Sequence, residues 1–140
     1  VVSVDIILIA KDMKYLDELK EMNLPSHRYA IYGSGPLAIR GIRENHDIDI
    51  VVDDALYEEL IKKYPEDNNK KEIKYKNIEI FCSSESLIDD PEKAIAQAEM
   101  IDGFKFIRLN ELIKWKKKFG RPKDLKDIKL IKSYLKKQKN

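Results

Sequence analysis

Two aspartates lie one residue apart in an apolar run, Asp47 and Asp49 in the sequence DIDIVV. The alternation and the β-branched residues predict a strand, and alternate side chains of a strand point to the same face. The two carboxylates would then stand side by side, about 7 Å apart, and repel each other. Bound Mg²⁺ would remove this repulsion, because it takes one or two carboxylates together with substrate phosphate. For the pair taken alone, the alternative is an edge strand with a solvated acidic face.

A glycine-rich turn, Gly33–Gly35, precedes the aspartates. It follows a predicted strand and opens a predicted short helix over residues 36–43. The free N–H groups and the dipole at such a helix start favour a bound phosphate. Ser34 would add a hydroxyl donor, and Gly35 would let a phosphate approach the backbone. The turn is not a Walker A loop, because no Gly-Lys-Ser/Thr follows. It is not a dinucleotide fingerprint either, because Gly41 comes too late.

The turn and the aspartates are spaced to form one site. A connecting helix of about two turns would bring the chain back, so that the second strand begins beside the first. Phosphates held at the turn and a metal held by the aspartates would then meet on one polyphosphate. Arg40 and Arg43 lie on or just after the connecting helix and could add positive charge to the same site.

This arrangement resembles a known family. Gly33-Ser34, twelve further residues and Asp-Ile-Asp, with apolar strands on both sides, resemble the signature of the nucleotidyltransferase superfamily that includes DNA polymerase beta. The resemblance is closest to its minimal, single-domain bacterial and archaeal members. The segment 109–131, LNELIKWKKKFGRPKDLKDIKLI, is similar to the closing part of small members of that family. Together the two motifs cover roughly residues 28–135.

The resemblance implies transfer of a nucleoside monophosphate from an NTP, with ATP as the first candidate, to an acceptor hydroxyl, with release of pyrophosphate. It also implies a third catalytic carboxylate on a later strand, and Glu79 in NIEIFC matches that position. Together with Asp47 and Asp49, Glu79 would hold two Mg²⁺ ions, with Mn²⁺ as an alternative. Glutamate replaces the aspartate of many members, which could alter the geometry. Glu72 is the alternative residue if the strand register differs.

The basic C-terminal segment could complete the nucleotide pocket. Lys116 and Lys123 are its candidate phosphate-binding residues, with Arg121 and Asp124 beside them. The alternative is that the lysines form a solvated helix face and that Asp124 is only an acid of a first helical turn. Three other side chains could also take part. His46 could contact a phosphate or simply begin the strand. Trp115 could stack on a base or pack in the core, and Tyr75 could stack on a base.

Periodicity and capping residues predict an α/β or α+β protein, with a small mixed sheet, helices packed on it and a basic helical segment at about 110–137. The last helix is expected to bury Leu125, Ile128, Ile131 and Leu135. Strands are predicted at 29–33, 47–52, 104–109 and twice within 71–82; helices are predicted at about 4–22, 36–43, 54–64, 91–99 and 111–119, with the last one after Pro122.

Composition suits one globular domain over residues 1–140, with 43% hydrophobic and 37% charged residues. The longest apolar run near the start, IILIA, is too short for a membrane span or a signal peptide. The single cysteine, Cys82, fits a reducing cytosol. We therefore expect a cytoplasmic protein without a membrane partner.

Charge is distributed unevenly along the chain. Residues 105–140 contain 14 basic and 3 acidic side chains, a net of +11, and residues 1–104 have a net of −9. The basic segment favours an anionic partner such as nucleic acid or a triphosphate, although lysine-coated helices would give the same pattern. Two further functions stay open: an antitoxin-like binding module with weak or absent catalysis, and an RNA-binding protein. The acceptor could be a small molecule, a protein or tRNA, and a homodimer is one way to close the cleft of so small a domain.

Overall fold

The computed structural model describes residues 13–64 and 72–138. The helices are α1 (Leu16–Glu21), α2 (Gly35–Ala38), α3 (Asp54–Ile61), α4 (Pro91–Ala96), α5 (Leu109–Phe119) and α6 (Pro122–Gln138), with a 3₁₀ turn at Ser83–Glu85. The strands are β1 (Tyr29–Tyr32), β2 (Ile48–Val52), β3 (Glu72–Tyr75), β4 (Ile78–Cys82), β5 (Glu99–Ile101) and β6 (Phe104–Phe106). No helix in these ranges is both long and apolar enough to cross a membrane.

The six strands form one mixed sheet in the order β3-β4-β2-β1-β6-β5. Strand β1 runs antiparallel to β2, whereas β2 is parallel to β4 and β1 is parallel to β6. At the two edges, β3 pairs antiparallel with β4, and β5 pairs antiparallel with β6. The predicted mixed sheet of an α+β protein is therefore confirmed.

Helices cover both faces of the sheet. One core joins α1 and α3 to alternate strand residues such as Ile31, Ile50 and Ile80. The second core joins α4, α5 and α6 to residues of the opposite face, such as Tyr32 and Val51. Because both sides are covered, the central strands are nearly continuous apolar runs, and all four residues of β1 are buried.

Several predicted boundaries are wrong. The connecting helix α2 has one turn rather than two, because Gly41, in the left-handed region at φ 73°, ends the helical conformation. The helix predicted at 91–99 ends at Ala96, and residues 99–101 instead pair with the following strand, which an Asp102-Gly103 turn makes possible. The strand predicted at 104–109 ends at Phe106, because Leu109 already begins α5. Of the helix predicted at 4–22, residues 4–12 lie outside the described part of the chain.

The buried face of α6 differs from the apolar face predicted for it. Ile128 and Ile131 are buried and Leu135 is half-buried, as expected, but Leu125 is 51% exposed. The helix is rotated so that Asp124 and Asp127 are buried instead, at 1% and 4% exposure. An apolar pattern cannot predict this rotation, because the buried carboxylates are stabilised by cations from other elements.

Helix α3 begins at a cap that also forms an ion pair. Asp53 accepts a hydrogen bond from the Leu56 N–H at 2.7 Å and two from Arg28, at 2.8 and 2.9 Å. Asp53→Ala should lower the free energy of unfolding by about 1–2 kcal/mol. The bonds from Arg28 hold the pKa of Asp53 below its ordinary 3.8. The stabilisation that the charged Asp53 carboxylate provides is therefore complete above the unfolded pKa of 3.8, and it is lost as the pH falls through the lower pKa of the folded state.

Urea unfolding at about pH 7 and about pH 3 measures this dependence. The difference in the free energy of unfolding between the wild type and Asp53→Ala should be smaller at the lower pH. The control is Asp90→Ala, which removes the cap of α4. The Asp90 carboxylate accepts a hydrogen bond from the Lys93 N–H at 3.2 Å. An equal loss of stability at both pH values for Asp53→Ala would contradict a contribution of the Asp53–Arg28 ion pair to the folded state.

Candidate functional site

The sheet brings three acidic side chains to one place. Asp49 on β2 pairs with Tyr32 on β1 and with Glu79 on β4, so these residues form one row across the sheet. Lys74 on the edge strand β3 extends the same row beside Glu79. Asp47 lies just before β2, two residues from Asp49. Alternation on β2 and the parallel pairing of β2 with β4 therefore place the acids on the face that α5 and α6 cover.

The carboxylates of Asp47, Asp49 and Glu79 form a compact cluster. One oxygen from each lies within 4.8 Å of the others, and all three residues are half-buried. Two oxygens on opposite sides of one Mg²⁺ lie about 4 Å apart, because each is about 2.1 Å from the ion. Small side-chain movements would therefore bring the cluster to the size of a magnesium site. Glu72, the alternative third acid, pairs with Phe81 instead of taking part in the Asp49 row.

Charge crowding affects Asp47 directly. Burial and the neighbouring Glu79 carboxylate raise the pKa of Asp47 above its ordinary value. Lys74, His46 and Lys123 act in the opposite direction but do not outweigh these two causes. The cluster is thus a place where negative charge is unfavourable without added positive charge.

The turn and the acidic cluster are in direct contact. Gly33 has φ 69°, in the left-handed region, and a Cβ atom there would lie 2.6 Å from Oδ2 of Asp49. Any side chain at this position would have to displace the carboxylate, and the positive φ also favours glycine. Gly33 therefore shapes the acidic cluster itself.

We expect Gly33→Ala to displace the Asp49 carboxylate and to weaken divalent-cation binding at least tenfold, a loss of the size seen when residues that orient metal ligands are changed. Gly103→Ala is the matched control, because Gly103 also has positive φ, 87°, but its added Cβ would meet nothing within 4 Å. Both variants carry backbone strain, so both should lose stability in thermal unfolding. Only Gly33→Ala should lose Mn²⁺ or Mg²⁺ binding in a calorimetric titration, and equal affinities would contradict this role.

A cavity of about 580 Å³ opens between this face of the sheet and helices α5 and α6. It is lined by the three acids and by most of the residues that the sequence assigns to phosphate binding: Gly33, Ser34, Arg43, Lys116 and Lys123. His46, Arg121 and Asp124 also line it. The two ends of the motif and the basic C-terminal segment thus meet at a single cavity.

Two predicted phosphate-binding residues lie elsewhere. Arg40 donates to the Pro36 carbonyl at 2.8 Å and forms an ion pair with Glu99 of β5, and it does not line the cavity. Gly35 is buried, and a Cβ there would lie 2.3 Å from Cγ2 of Ile31. Gly35 is therefore required for packing of α2 against β1 rather than for access of a phosphate.

A buried network of ion pairs forms the back of the cavity. Asp127 accepts hydrogen bonds from Arg43 at 2.7 and 2.8 Å and from Lys116 at 2.9 Å. Asp124, 3.9 Å from Lys116, is bonded by the Arg121 side chain at 2.6 and 3.1 Å. Burial opposes the charge on Asp127, but the bonds from Arg43 and Lys116 hold its pKa below the ordinary value. The solvated-face interpretation is therefore wrong for Lys116. Asp124 does lie in the first turn of α6, as the alternative had it, and is also buried against these cations.

Two features of this cavity were not predicted from the sequence. Asp127 is the central acceptor of the ion-pair network, and its spacing of three residues from Asp124 on a helix was the available signal. The other is an aromatic wall in which Tyr32 contacts Trp115 with ring centroids 4.9 Å apart and Trp115 contacts Phe119 at the same distance. Trp115 is mostly buried and donates to the Ser86 carbonyl, whereas Phe119 is 38% exposed at the rim. Tyr75 lies elsewhere, in contact with Tyr64.

Comparisons of the chain with protein-family models, with curated proteins and with solved structures found no match. The interpretation of the cavity therefore depends on its own geometry and chemistry.

Proposed function

We propose that the protein is a divalent-metal-dependent nucleotidyltransferase. The observation that carries the proposal is the cluster of three carboxylates within 4.8 Å, in a cavity that the Gly33-Ser34 turn and several cationic side chains also line. Neither the carboxylate cluster alone nor the turn with its cationic neighbours alone would be specific for a nucleotide. A site with acids for a metal and donors for phosphates, side by side, suits a metal-bound triphosphate.

The donor set fits Mg²⁺, since three carboxylates supply only hard oxygen ligands and the half-buried position leaves room for water or phosphate. Asp47, Asp49 and Glu79 would hold the metal. When bound, the metal would neutralise charge on the triphosphate and at the reacting phosphorus. Mn²⁺, which accepts the same ligands, is expected to substitute for it.

The chain's own groups would bind and orient the reactants. Ser34 and the turn would donate hydrogen bonds to phosphate oxygens, and Lys123, which is exposed at the cavity, would add positive charge. An acceptor hydroxyl would attack the α-phosphorus, forming a new P–O bond as the bond to pyrophosphate breaks. The hydroxyl proton would pass to Glu79 or to water. Positioning and charge stabilisation would supply most of the rate enhancement.

The test is incubation of the purified protein with α-labelled NTPs, Mg²⁺ and cell extract. Transfer of label to any acceptor, together with release of pyrophosphate, would support the proposal. EDTA should abolish the transfer. If no acceptor is labelled from any of the four NTPs, the enzyme proposal fails.

One observation favours a second candidate, a nucleotide-binding module without turnover. Nζ of Lys74 lies 3.9 Å from Oε1 of Glu79 and already compensates part of the negative charge that a second metal would neutralise. In such a module Mg-ATP would raise the unfolding temperature of the protein, but no label would be transferred. Lys74→Ala separates the two candidates, because it should increase transfer by an enzyme that Lys74 restrains and cannot create transfer in a binding module.

A further inference from the structure

The exposed surface of α6 carries charge of one sign. All six lysines of this helix are exposed, and its two acids, Asp124 and Asp127, are buried at 1% and 4% exposure. The lysines follow one another mostly at spacings of three or four residues: Lys123, Lys126, Lys129, Lys132, Lys136 and Lys137. Over about 21 Å of helix, solvent therefore meets only positive charge.

Among the residues that the structure describes, these lysines also lack the carboxylate partners that two exposed lysines of α5 have. On α5, Lys114 pairs with Glu111 and Lys118 with Asp89. Within residues 13–64 and 72–138, no carboxylate lies within 4.0 Å of the ammonium groups of the six α6 lysines. Like charges at these spacings destabilise a helix, and a bound polyanion would remove that cost.

We propose that the lysine face of α6 binds a single-stranded nucleic acid through its phosphates. Each strand of a double helix presents one charge per about 3.4 Å of its axis, and the lysines of α6, with a mean spacing of about 4 Å along the helix, present positive charge at a comparable density. An anionic membrane is disfavoured, because the exposed side of α6 has a single large apolar residue, Leu125, and membrane-surface helices insert a broad apolar face.

The start of the lysine face favours a single strand over a duplex. Phe119 is 38% exposed there, and the Arg121 guanidinium lies 4.5 Å from its ring centroid. Unpaired bases stack on exposed aromatic rings and on guanidinium groups, whereas the bases of a duplex are not available for this contact. Lys123 and Lys126 line the cavity, so a bound strand would pass its entrance.

The test is fluorescence anisotropy of a labelled 20-nucleotide single-stranded RNA with the full chain in EDTA, over a range of KCl concentrations. The affinity should fall steeply with salt. In Lys129→Gln/Lys132→Gln/Lys136→Gln, the slope of log K against log salt should become shallower by about 2, because each lost phosphate contact removes about 0.7. The control is Lys62→Gln/Lys63→Gln/Lys93→Gln, which removes the same charge from two exposed lysines just after α3 and one on α4 and should change the affinity less than twofold.

Phe119→Ala should weaken binding of the single strand about fivefold without changing the salt slope. Equal binding of single-stranded DNA supports the proposal, because the phosphate backbone is common to both strands. Equal losses in the two lysine triples, tighter binding of a duplex, or equal binding of polyglutamate or anionic vesicles would overturn it. Asp47→Asn should bind RNA as the wild type does, so failure of the nucleotidyltransferase proposal would leave this result unaffected.

Discussion

Asp47→Asn is expected to reduce nucleotidyl transfer by about 10³-fold or more while the protein stays folded. The carboxylate is one of three within 4.8 Å, and the amide that replaces it cannot supply a negatively charged ligand. Loss of metal-derived charge stabilisation costs several kcal/mol in the transition state, and each 1.36 kcal/mol is a factor of ten in rate. The measurement is the rate of label transfer from α-labelled ATP.

The folded state should tolerate this change, because it removes one of three carboxylates that repel each other. The unfolding temperature without metal should therefore be unchanged or slightly higher. Asp102→Asn is the matched control: it makes the same chemical change at an exposed turn with φ 52°, a conformation that asparagine accepts readily. Wild-type transfer rates in Asp47→Asn, or equal losses in both variants, would show that the acidic cluster is not the catalytic site.

Asp127→Ala is expected to lower the free energy of unfolding by about 3–5 kcal/mol, the cost of removing one partner from a buried ion pair. It would remove the 2.9 Å bond of Lys116 Nζ, on a side chain 4% exposed, and leave Asp124 at 3.9 Å and the Trp115 ring centroid at 5.5 Å as neighbours. Arg43 would also lose both of its bonds to Asp127, although its 32% exposure lets water replace them in part. Urea unfolding at neutral pH measures the change.

A second variant separates the ion pair from simple loss of packing. If the cost arises from an unpaired buried ammonium group, Asp127→Ala should cost less in a Lys116→Met background, with a coupling energy of about 0.5–3 kcal/mol. Lys129→Ala, an exposed change on the same helix, should stay within about 0.5 kcal/mol of the wild type. Additive effects of the Lys116 and Asp127 changes would contradict the buried ion-pair network.

Part of the acidic cluster was predictable, because the direction of its side chains depends on short-range rules. Side-chain alternation puts Asp47 and Asp49 on one face, and the same rule sets Glu79 opposite in direction to Ile78 and Ile80. Side-chain alternation does not predict that β2 and β4 are parallel neighbours, and this arrangement pairs Asp49 with Glu79. The family resemblance predicted that Glu79 lies with the two aspartates, without predicting the strand pairing, and the structure brings the three carboxylates together.

Three wrong predictions share a physical cause: the sequence does not tell which side of an element packs inward. Arg40 follows a helix of one turn instead of two, and it is directed to Glu99 on β5, a strand that the sequence analysis did not predict. Leu125 fits an apolar face, but the ion pairs of Asp124 and Asp127 decide the rotation of α6. Gly35 is explained by contact with Ile31, a packing detail that no local pattern contains.

The proposed function requires that the Gly33-Ser34 turn and the three carboxylates together bind one metal-bound triphosphate. Calorimetric titration of the protein with ATP, in Mg²⁺ and in EDTA, tests it most directly, because it requires no acceptor. We expect binding in Mg²⁺ that is lost in EDTA, and lost in Asp49→Asn even when Mg²⁺ is present. Equal ATP binding in Mg²⁺ and EDTA, or no binding at millimolar Mg-ATP, would contradict the claim.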